Sequence, residues 1–327
     1  MTVLIRTDLE VLAWVKRIMG EATTDPVRLP PAPRIPKLAQ GIGFIAARDK
    51  AVTAVARRHG SEFTLNLPIF GPTVVISDPA LVKELFTMST DLIARAGTLG
   101  QVLGPGSTFS LDGTAHRQRR KLLVPPFHGK RMQGYEHIIE EEVMREIASW
   151  PEGEDFATLP SMMRITLNAI LRAVFGAEGG QFVRLQQLLP PAVALGSQLS
   201  TMPIPQWNWG RWSPWGRFLE ARRTYDSIVD ELIASARADP ALGDRADVLA
   251  VLLQSRYDDG SELTRDAIAD QLVTLLTAGY ETTATTLAWA IERLRRHPEL
   301  LARLVAELDA GDDELLTATI AEVQRCR

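Results

Sequence analysis

The sequence predicts a mainly α-helical protein with a small β-sheet region near its start. Nearly all of the chain after residue 114 spaces its apolar residues with helical period, whereas only residues 63–67 and 73–76 have the pattern of a β-hairpin. The 327 residues are 46% hydrophobic and 23% charged, which suffices for a sizeable core and excludes a disordered chain. We expect a single domain over residues 1–327.

Composition and charge also exclude several kinds of function. The net charge of −4 provides no basic field that would hold nucleic acid. Cys326 is the only cysteine, which excludes intrachain disulfides and cysteine-built zinc sites, and no two of the five histidines have metal-ligand spacing. The apolar stretch 11–15 is too short for a signal sequence and predicts a short amphipathic helix, so we expect a cytoplasmic protein.

The first part of the chain combines an extended leader with the hairpin. Five prolines between residues 25 and 36 disfavour helix and strand. The stretch Gly41–Ala46 has the spelling of a dinucleotide-binding loop, but it lacks the preceding strand that such a loop needs, so we interpret it as coincidence. After the hairpin, Ser77 or Asp78 is a suitable cap for a helix with Pro79 in its first turn.

Helices are predicted for most of the remaining chain. Their approximate ranges are 114–123, 129–149, 160–175, 179–198, 215–238, 246–255, 264–297, 298–309 and 314–327. Proline, glycine and aspartate lie between them.

The helix at 264–297 is the longest of the set. Thr264 suits its N-cap, and Asp266 lies in the first turn, where the helix dipole favours negative charge. Between residues 271 and 291 the only charged residue is Glu281. A transmembrane span is one interpretation of this stretch, but its threonines and central glutamate favour a buried helix of a soluble protein.

The segment Ala278–Thr283 interrupts the apolar pattern of this helix. Glycine in a helix interior costs about 1 kcal/mol relative to alanine, and a buried carboxylate costs more unless it has a use. Gly279 would leave room for a molecule against the backbone, and Glu281 with Thr282 would form an acid–alcohol pair that passes protons. A packing glycine beside a satisfied core carboxylate explains the pattern equally well.

The same segment closely resembles the oxygen-binding central helix of the cytochrome P-450 family, the haem-thiolate monooxygenases. The family signature is Ala/Gly-Gly-x-Asp/Glu-Thr-Thr/Ser. Three other segments are similar to family motifs and occur in the family's order: Asp112–Arg120, Arg296–Leu300 and Glu322–Arg325. The last match would mean little alone. The resemblance implies a cytochrome P-450-like fold.

The resemblance implies which residues hold haem b. His116 and Arg120 lie four residues apart on one helix face, and the resemblance implies that they bind the haem propionates. Ala278 and Thr282 are implied to contact the same cofactor. An ordinary basic surface helix is the alternative for residues 114–123.

The resemblance also implies catalytic and structural residues. Gly279 would make room for oxygen, while Thr282 and Glu281 would deliver protons. Glu322 and Arg325 would form a structural ion pair, and a solvated helical pair is the alternative.

The implied reaction inserts one oxygen atom of O₂ into a hydrophobic small molecule. The electrons would come from NAD(P)H through a ferredoxin or flavodoxin with its reductase. Arg117, Arg119 and Lys121 would form a cationic patch that guides such an acidic partner. The glycine-bearing loop Thr98–Phe109 falls where the family has a flexible wall of the substrate pocket.

The family's defining residue is a cysteine thiolate that binds the haem iron, in a loop beyond the Glu-x-x-Arg helix. Cys326 lacks the surrounding motif and is not expected to be that ligand. We therefore expect a fold that is incomplete at its C-terminus, no metal ligand in this chain, and no activity of this polypeptide alone. The alternative is a non-catalytic helical fragment or interaction protein.

A magnesium-dependent isoprenoid synthase is a further alternative. Its aspartate clusters would be Asp258-Asp259 and Asp312–Glu314, although both fall in turns where acidic residues commonly cap helices.

Four tryptophans lie close together in the loop before the helix at 215–238. By position, this loop resembles the roof of the family's substrate pocket. It would line the entrance, contact a membrane surface or pack onto the domain. The tryptophans are Trp207, Trp209, Trp212 and Trp215.

Overall fold

The computed structural model describes residues 29–68, 70–89, 97–127, 130–201 and 207–326. The helix predicted around residues 11–15 lies outside the described residues. The chain divides into two compact units, Met1–Thr98 and Leu99–Arg327, and each is described by itself. This division does not test the expectation of a single domain, which stays a prediction.

The first unit is built around the predicted β-hairpin. Strands β1 (Glu62–Leu67) and β2 (Gly71–Ile76) pair antiparallel, with Phe63 opposite Val75. These two residues form a small core with Leu65 and Leu67. Helix α1 (Lys37–His59), which the sequence analysis did not predict, packs against β1 and is kinked at Ala47.

The stretch Gly41–Ala46 lies inside α1 rather than after a strand. Gly41 has a packing reason for its size, because a Cβ atom there would lie 2.6 Å from the ring of Pro68. Helix α2 (Pro79–Thr87) begins where predicted, since the Asp78 carboxylate accepts hydrogen bonds from the backbone N–H groups of Ala80 and Leu81.

The second unit is helical throughout its described elements. Its helices begin and end within a few residues of the predicted bounds, except that α3 was not predicted. They are α3 (Gly97–Leu103), α4 (Gly113–Leu123), α5 (Lys130–Ile147), α6 (Thr158–Ala173), α7 (Gly179–Thr201), α8 (Pro214–Ala238), α9 (Val248–Gln254), α10 (Arg265–Arg296), α11 (Pro298–Asp309) and α12 (Glu314–Arg325). The predicted mainly α-helical fold with a small sheet is confirmed.

Helix α10 forms the centre of the large core of this unit. It packs most extensively against α6, and its residues Leu272 and Leu276 are fully buried. The Thr166 hydroxyl of α6 donates to the Tyr280 carbonyl at 3.1 Å, and the Tyr225 hydroxyl of α8 donates to the Ala269 carbonyl at 2.8 Å. Of the helices that the structure describes, none has the length and apolar character needed to cross a membrane.

Burial on α10 yields a direct test of the fold. We expect Leu272→Ala to lower the free energy of unfolding by about 2–5 kcal/mol, because it opens a cavity in a fully buried site. Leu287→Ala on the same helix, where the side chain is 38% exposed, should cost less than about 1 kcal/mol. Urea unfolding followed by circular dichroism measures both, and equal losses would contradict the described burial of α10.

Candidate active site

Helix α10 has the start and end that its sequence predicts. The Thr264 hydroxyl accepts from the Ala267 N–H at 3.2 Å, and Asp266 lies in the first turn. The helix has 32 residues and spans about 48 Å. All of its buried residues lie between Ala267 and Ala284, so the C-terminal part of the helix is less covered than the N-terminal part.

The segment Ala278–Thr283 divides between two faces of α10. Tyr280 is buried, whereas Ala278, Glu281 and Thr282 are exposed. The expectation that Glu281 is a buried carboxylate was therefore wrong. Ala278 and Thr282 are one helical turn apart and form an exposed strip of small side chains beside Glu281.

The Thr282 hydroxyl is engaged within its own helix. It donates to the Ala278 carbonyl at 2.5 Å, and the Thr282 carbonyl accepts from the Thr286 hydroxyl at 2.9 Å. Threonine back-bonding of this kind keeps the hydroxyl satisfied until something displaces it. The helix is continuous at this point, so a role of Thr282 in proton delivery requires the hydroxyl to leave Ala278.

Gly279 faces a neighbouring helix. A Cβ atom at this position would lie 3.0 Å from Cδ1 of Ile170 on α6. The glycine thus permits the close approach of α6 and α10, which supports the packing alternative. Its role in making room for oxygen stays a prediction.

The carboxylate that α10 does bury is Asp270, which the sequence analysis missed. It is 1% exposed, accepts from the Gly106 N–H at 2.8 Å and pairs with Arg222 of α8. Burial acts to lower the pKa of Arg222, but the hydrogen bond and charge of Asp270, with Asp226, outweigh it and raise that pKa. An acid inside the apolar pattern of α10 was the available signal. Its arginine partner lies 48 positions earlier and could not be read from the pattern.

The loop after α3 is fixed against α10. Thr108 donates to Oε1 of Gln271 from its N–H at 3.2 Å and from its hydroxyl at 2.8 Å. Gly104 has φ +94°, and a Cβ atom there would overlap the Asp270 carboxylate, so only glycine suits the position. The prediction of a flexible loop over residues 98–109 was therefore wrong: residues up to Leu103 are helical, and the remainder is tied to α10.

An apolar cavity of about 130 Å³ lies between α3, α7, α8 and α10. Val273, Thr277 and Glu281 line it from α10. Ala278 and Thr282 of the exposed strip directly follow Thr277 and Glu281 along the helix. Most of the remaining lining is aliphatic or aromatic. It includes Val102, Leu103, Leu188, Ala192, Val193 and Phe218.

Helix α4 carries the proposed propionate-binding residues. His116 is half-buried and Arg120 is exposed. Arg119, between them, is only 6% exposed and donates to the Gly106 carbonyl and to the Tyr257 hydroxyl. Because Gly106 also donates to Asp270, these contacts connect α4 to α10 through the loop.

The buried position of Arg119 corrects the predicted cationic patch. Arg119 cannot face a protein partner, and Lys121 is paired with Asp258 at 2.6 Å. The exposed cations of α4 are Arg117, Arg120 and Lys121.

Glu322 and Arg325 form the predicted ion pair at 2.7 Å on α12. Both side chains are more than half exposed, as the solvated alternative requires. The hydrogen bonds from Arg325 and then Cys326 lower the pKa of Glu322 to about 2. Cys326 is exposed and its thiol lies 3.4 Å from the Glu322 carboxylate.

The tryptophan loop presents aromatic rings to solvent. Trp207, Trp209 and Trp212 are 59%, 65% and 80% exposed, and the first two stack with ring centroids 5.2 Å apart. Trp215 is half-buried, and its ring centroid lies 5.5 Å from that of Phe218, which lines the cavity. Packing onto the domain therefore accounts for Trp215 but not for the other three.

The acidic clusters of the isoprenoid synthase alternative are occupied by local contacts. Asp259 accepts from the N–H and hydroxyl of Ser261, and Asp312 accepts from the N–H groups of Asp313 and Glu314. Over the described ranges, no group of three or more His, Cys, Asp or Glu residues could hold a metal ion.

Comparison with known proteins decides the family. A family model described as Cytochrome P450 matches residues 29–327. The chain belongs to the cytochrome P450 family. It is 55% identical over 302 residues to "Putative cytochrome P450 138" of Mycobacterium tuberculosis H37Rv, covering 92% of this chain and 68% of that protein. It is 37% identical over 315 residues to "Putative cytochrome P450 135B1" of the same strain, covering 93% and 66% respectively.

Solved structures of P450s have the same fold. The retinoic acid-bound cyanobacterial CYP120A1 has a TM-score of 0.72 and 23% identity, over 87% of this P450 chain and 64% of that structure. The CYP102L1 structure has a TM-score of 0.71 and 25% identity, over 88% and 64%. The chain thus spans about two thirds of the length of these P450s.

The position of Asp270 generates a testable contrast between two acids of one helix. We expect Asp270→Ala to lower the free energy of unfolding by about 3–5 kcal/mol, because it leaves the guanidinium of Arg222 and the N–H of Gly106 without their buried partner. Glu281→Ala is the matched control and should change it by less than about 0.5 kcal/mol, because Glu281 is exposed.

Chemical denaturation of the two variants beside wild type measures this contrast. A greater loss for Glu281→Ala than for Asp270→Ala would reverse our assignment of the buried carboxylate.

Proposed function

We propose that this P450 chain forms the oxygen-binding helix, the propionate-binding helix and the substrate cavity of a haem monooxygenase. The observation that carries the proposal is the exposed strip of small side chains on α10, whose residues directly follow two residues that line an apolar cavity. The reaction is the insertion of one atom of O₂ into a hydrophobic small molecule.

The residues present fit haem b in shape and charge. Ala278 and Thr282 are small and exposed on α10, so a flat macrocycle would have room against this strip. His116 and Arg120 on α4 would hold the propionates through charge-assisted hydrogen bonds. The link from Arg119 through Gly106 to Asp270 supports a fixed placement of α4 relative to α10. Cys326, the single cysteine of the sequence, is exposed and is not proposed to bind the iron.

When bound, haem supplies the chemistry that activates dioxygen. The role of the chain's own residues would be to hold protons beside the strip of small side chains on α10. Glu281 lines the cavity, is exposed and has no hydrogen-bond donor among the described residues, so its carboxylate is open to water. The Thr282 hydroxyl would take up a proton-relay position after releasing the Ala278 carbonyl.

Electrons would reach the haem from NAD(P)H through a ferredoxin or flavodoxin with its reductase. Of the cations predicted to guide an acidic partner, Arg117 and Lys121 are exposed on α4, although Lys121 pairs with Asp258. The apolar cavity supports a hydrophobic substrate. We further propose that the polypeptide of 327 residues is inactive by itself, because it lacks the thiolate, and that it acts in the cytoplasm.

Haem titration tests the proposal. We expect the 327-residue chain to bind haem, with an increase of Soret absorbance that saturates. The double variant His116→Ala with Arg120→Ala should bind about tenfold more weakly, since it removes both propionate contacts. Arg117→Ala on the same helix is the control and should bind like wild type. Absence of saturable binding to wild type would favour the non-catalytic helical module instead.

The exposed tryptophans support a peripheral membrane contact of the loop Trp207–Trp215. Aromatic side chains with one apolar and one polar edge are favoured at the membrane–water interface. We expect the combined change Trp207→Ala, Trp209→Ala and Trp212→Ala to reduce flotation with liposomes several-fold. Trp289→Ala outside the loop serves as the control, and an unchanged floating fraction of the loop variant would leave the entrance of the cavity as the role of the loop.

A further inference from the structure

The hydroxyl groups on the wall of the apolar cavity are already in use. The hydroxyls of Thr277, Ser200 and Tyr225 each donate to a backbone carbonyl, at 2.8, 2.9 and 2.8 Å respectively. Ser197, which also lines the cavity, is not without a partner. A ligand that can only accept hydrogen bonds therefore has to compete with an existing contact at each of these side chains.

Arg222 is the single cation among the described lining residues, and its charge is offset. Its guanidinium pairs with Asp226 at 3.1 Å and with the buried Asp270, and it also donates to the Leu103 carbonyl at 3.5 Å. A ligand carboxylate that approached Arg222 would meet these two acids and would compete with Asp270 for its buried partner. The cavity therefore does not suit an anionic ligand.

Glu281 is the lining residue whose charge has no partner among the described residues. Because it lines the cavity and is also exposed, its carboxylate lies where the cavity opens to solvent. An ionised carboxylate only accepts hydrogen bonds, and such charge-assisted bonds are stronger than those between neutral groups. The mouth of the cavity thus attracts a ligand donor and repels a ligand carboxylate.

The volume of the cavity limits the size of the ligand. It measures about 130 Å³, and a dry apolar cavity of about 150 Å³ is known to hold benzene. A Cβ atom at Gly196 of α7 would lie 2.8 Å from Cγ1 of Val102 on α3, so these two helices are in close contact on one side of the cavity. The part of a ligand that lies inside is therefore about one six-membered ring in size.

We propose that this cavity selects a small apolar alcohol, with a body of about one ring inside and a hydroxyl group that donates to the Glu281 carboxylate. The inference rests on the proposed monooxygenase function and names its substrate class. A hydroxyl suits the site better than an ammonium group, because moving a charge out of water costs more.

The hydroxyl contact would also orient the ligand. Glu281 directly precedes Thr282, so the hydroxyl end would lie toward the exposed strip of small side chains on α10. A carboxylate has two oxygens, so one remains available for the proton-delivery role proposed for Glu281.

Titration calorimetry of the 327-residue chain with three ring compounds tests this proposal. Benzyl alcohol and anisole are isomers, so they differ in the hydrogen-bond donor but hardly in size. We expect benzyl alcohol to bind about tenfold more tightly than anisole, and at least about tenfold more tightly than benzoate. Ala192→Phe, which fills the cavity from α7, should weaken the binding of both isomers about tenfold, which locates them inside.

Two variants separate the carboxylate from the rest of the wall. Glu281→Leu should bring the affinities of the two isomers within about twofold of each other, because it removes the acceptor. Glu299→Leu on α11 is the matched control: it removes an exposed acid outside the cavity and should retain the full preference. The preference is a ratio measured on one protein, so a change in the stability of a variant does not imitate the effect.

Four results would overturn the proposal: no saturable binding of benzyl alcohol, equal binding of the isomers by wild type, a preference that persists in Glu281→Leu, or tightest binding of benzoate. The last result would make Arg222 the selecting group. Haem titration is separate from this test. A chain that binds haem without preferring benzyl alcohol contradicts only the ligand class, whereas a chain that prefers benzyl alcohol without binding haem contradicts the monooxygenase function.

Discussion

The buried carboxylate of Asp270 is the constraint on which the second unit of this P450 chain depends. A charge inside the core must be paired and hydrogen-bonded, and Asp270 obtains its partners from Arg222 on α8 and from Gly106 in the loop after α3. The carbonyl of Gly106 in turn accepts from Arg119 on α4. One acid thus connects four elements that are distant in sequence, and the connected elements α3, α8 and α10 form walls of the apolar cavity.

The rest of α10 can then remain open on one face. Gly279 and the carbonyl of Tyr280 hold this half of the helix against α6, through Ile170 and Thr166. The side of the helix that carries Ala278 and Thr282 has no such cover. Small side chains on an uncovered strip contribute little to folding, and their exposure supports the binding role proposed for them. The sequence pattern assigns Gly279 to oxygen binding. In the structure, Gly279 permits the close packing of α10 against α6 beside that strip.

Local signals predicted the helices and hairpin well, because caps, prolines and apolar period are encoded within a few residues. Helix α1 was missed because its glycines and its outward Leu38, Ile42 and Ile45 do not produce an inward apolar face, and α3 because Gly97, Gly100 and Gly104 suggest a loop. Periodicity tells which residues share a face, but not which face is covered. Periodicity alone therefore places Arg119 at the surface and Glu281 in the core, whereas the structure shows the reverse. The partners of Asp270 cannot be found without tertiary contacts.

Asp270 and Glu281 show how one helix can contain two acids with separate tasks. They are eleven residues apart, about 16 Å along the axis. Asp270 is held in the core by the guanidinium of Arg222 and the backbone N–H of Gly106, so its contacts serve the structure. Glu281 has no such partner among the described residues and borders both solvent and the cavity. The proposed proton-delivery role therefore falls to Glu281, the acid that the core does not need.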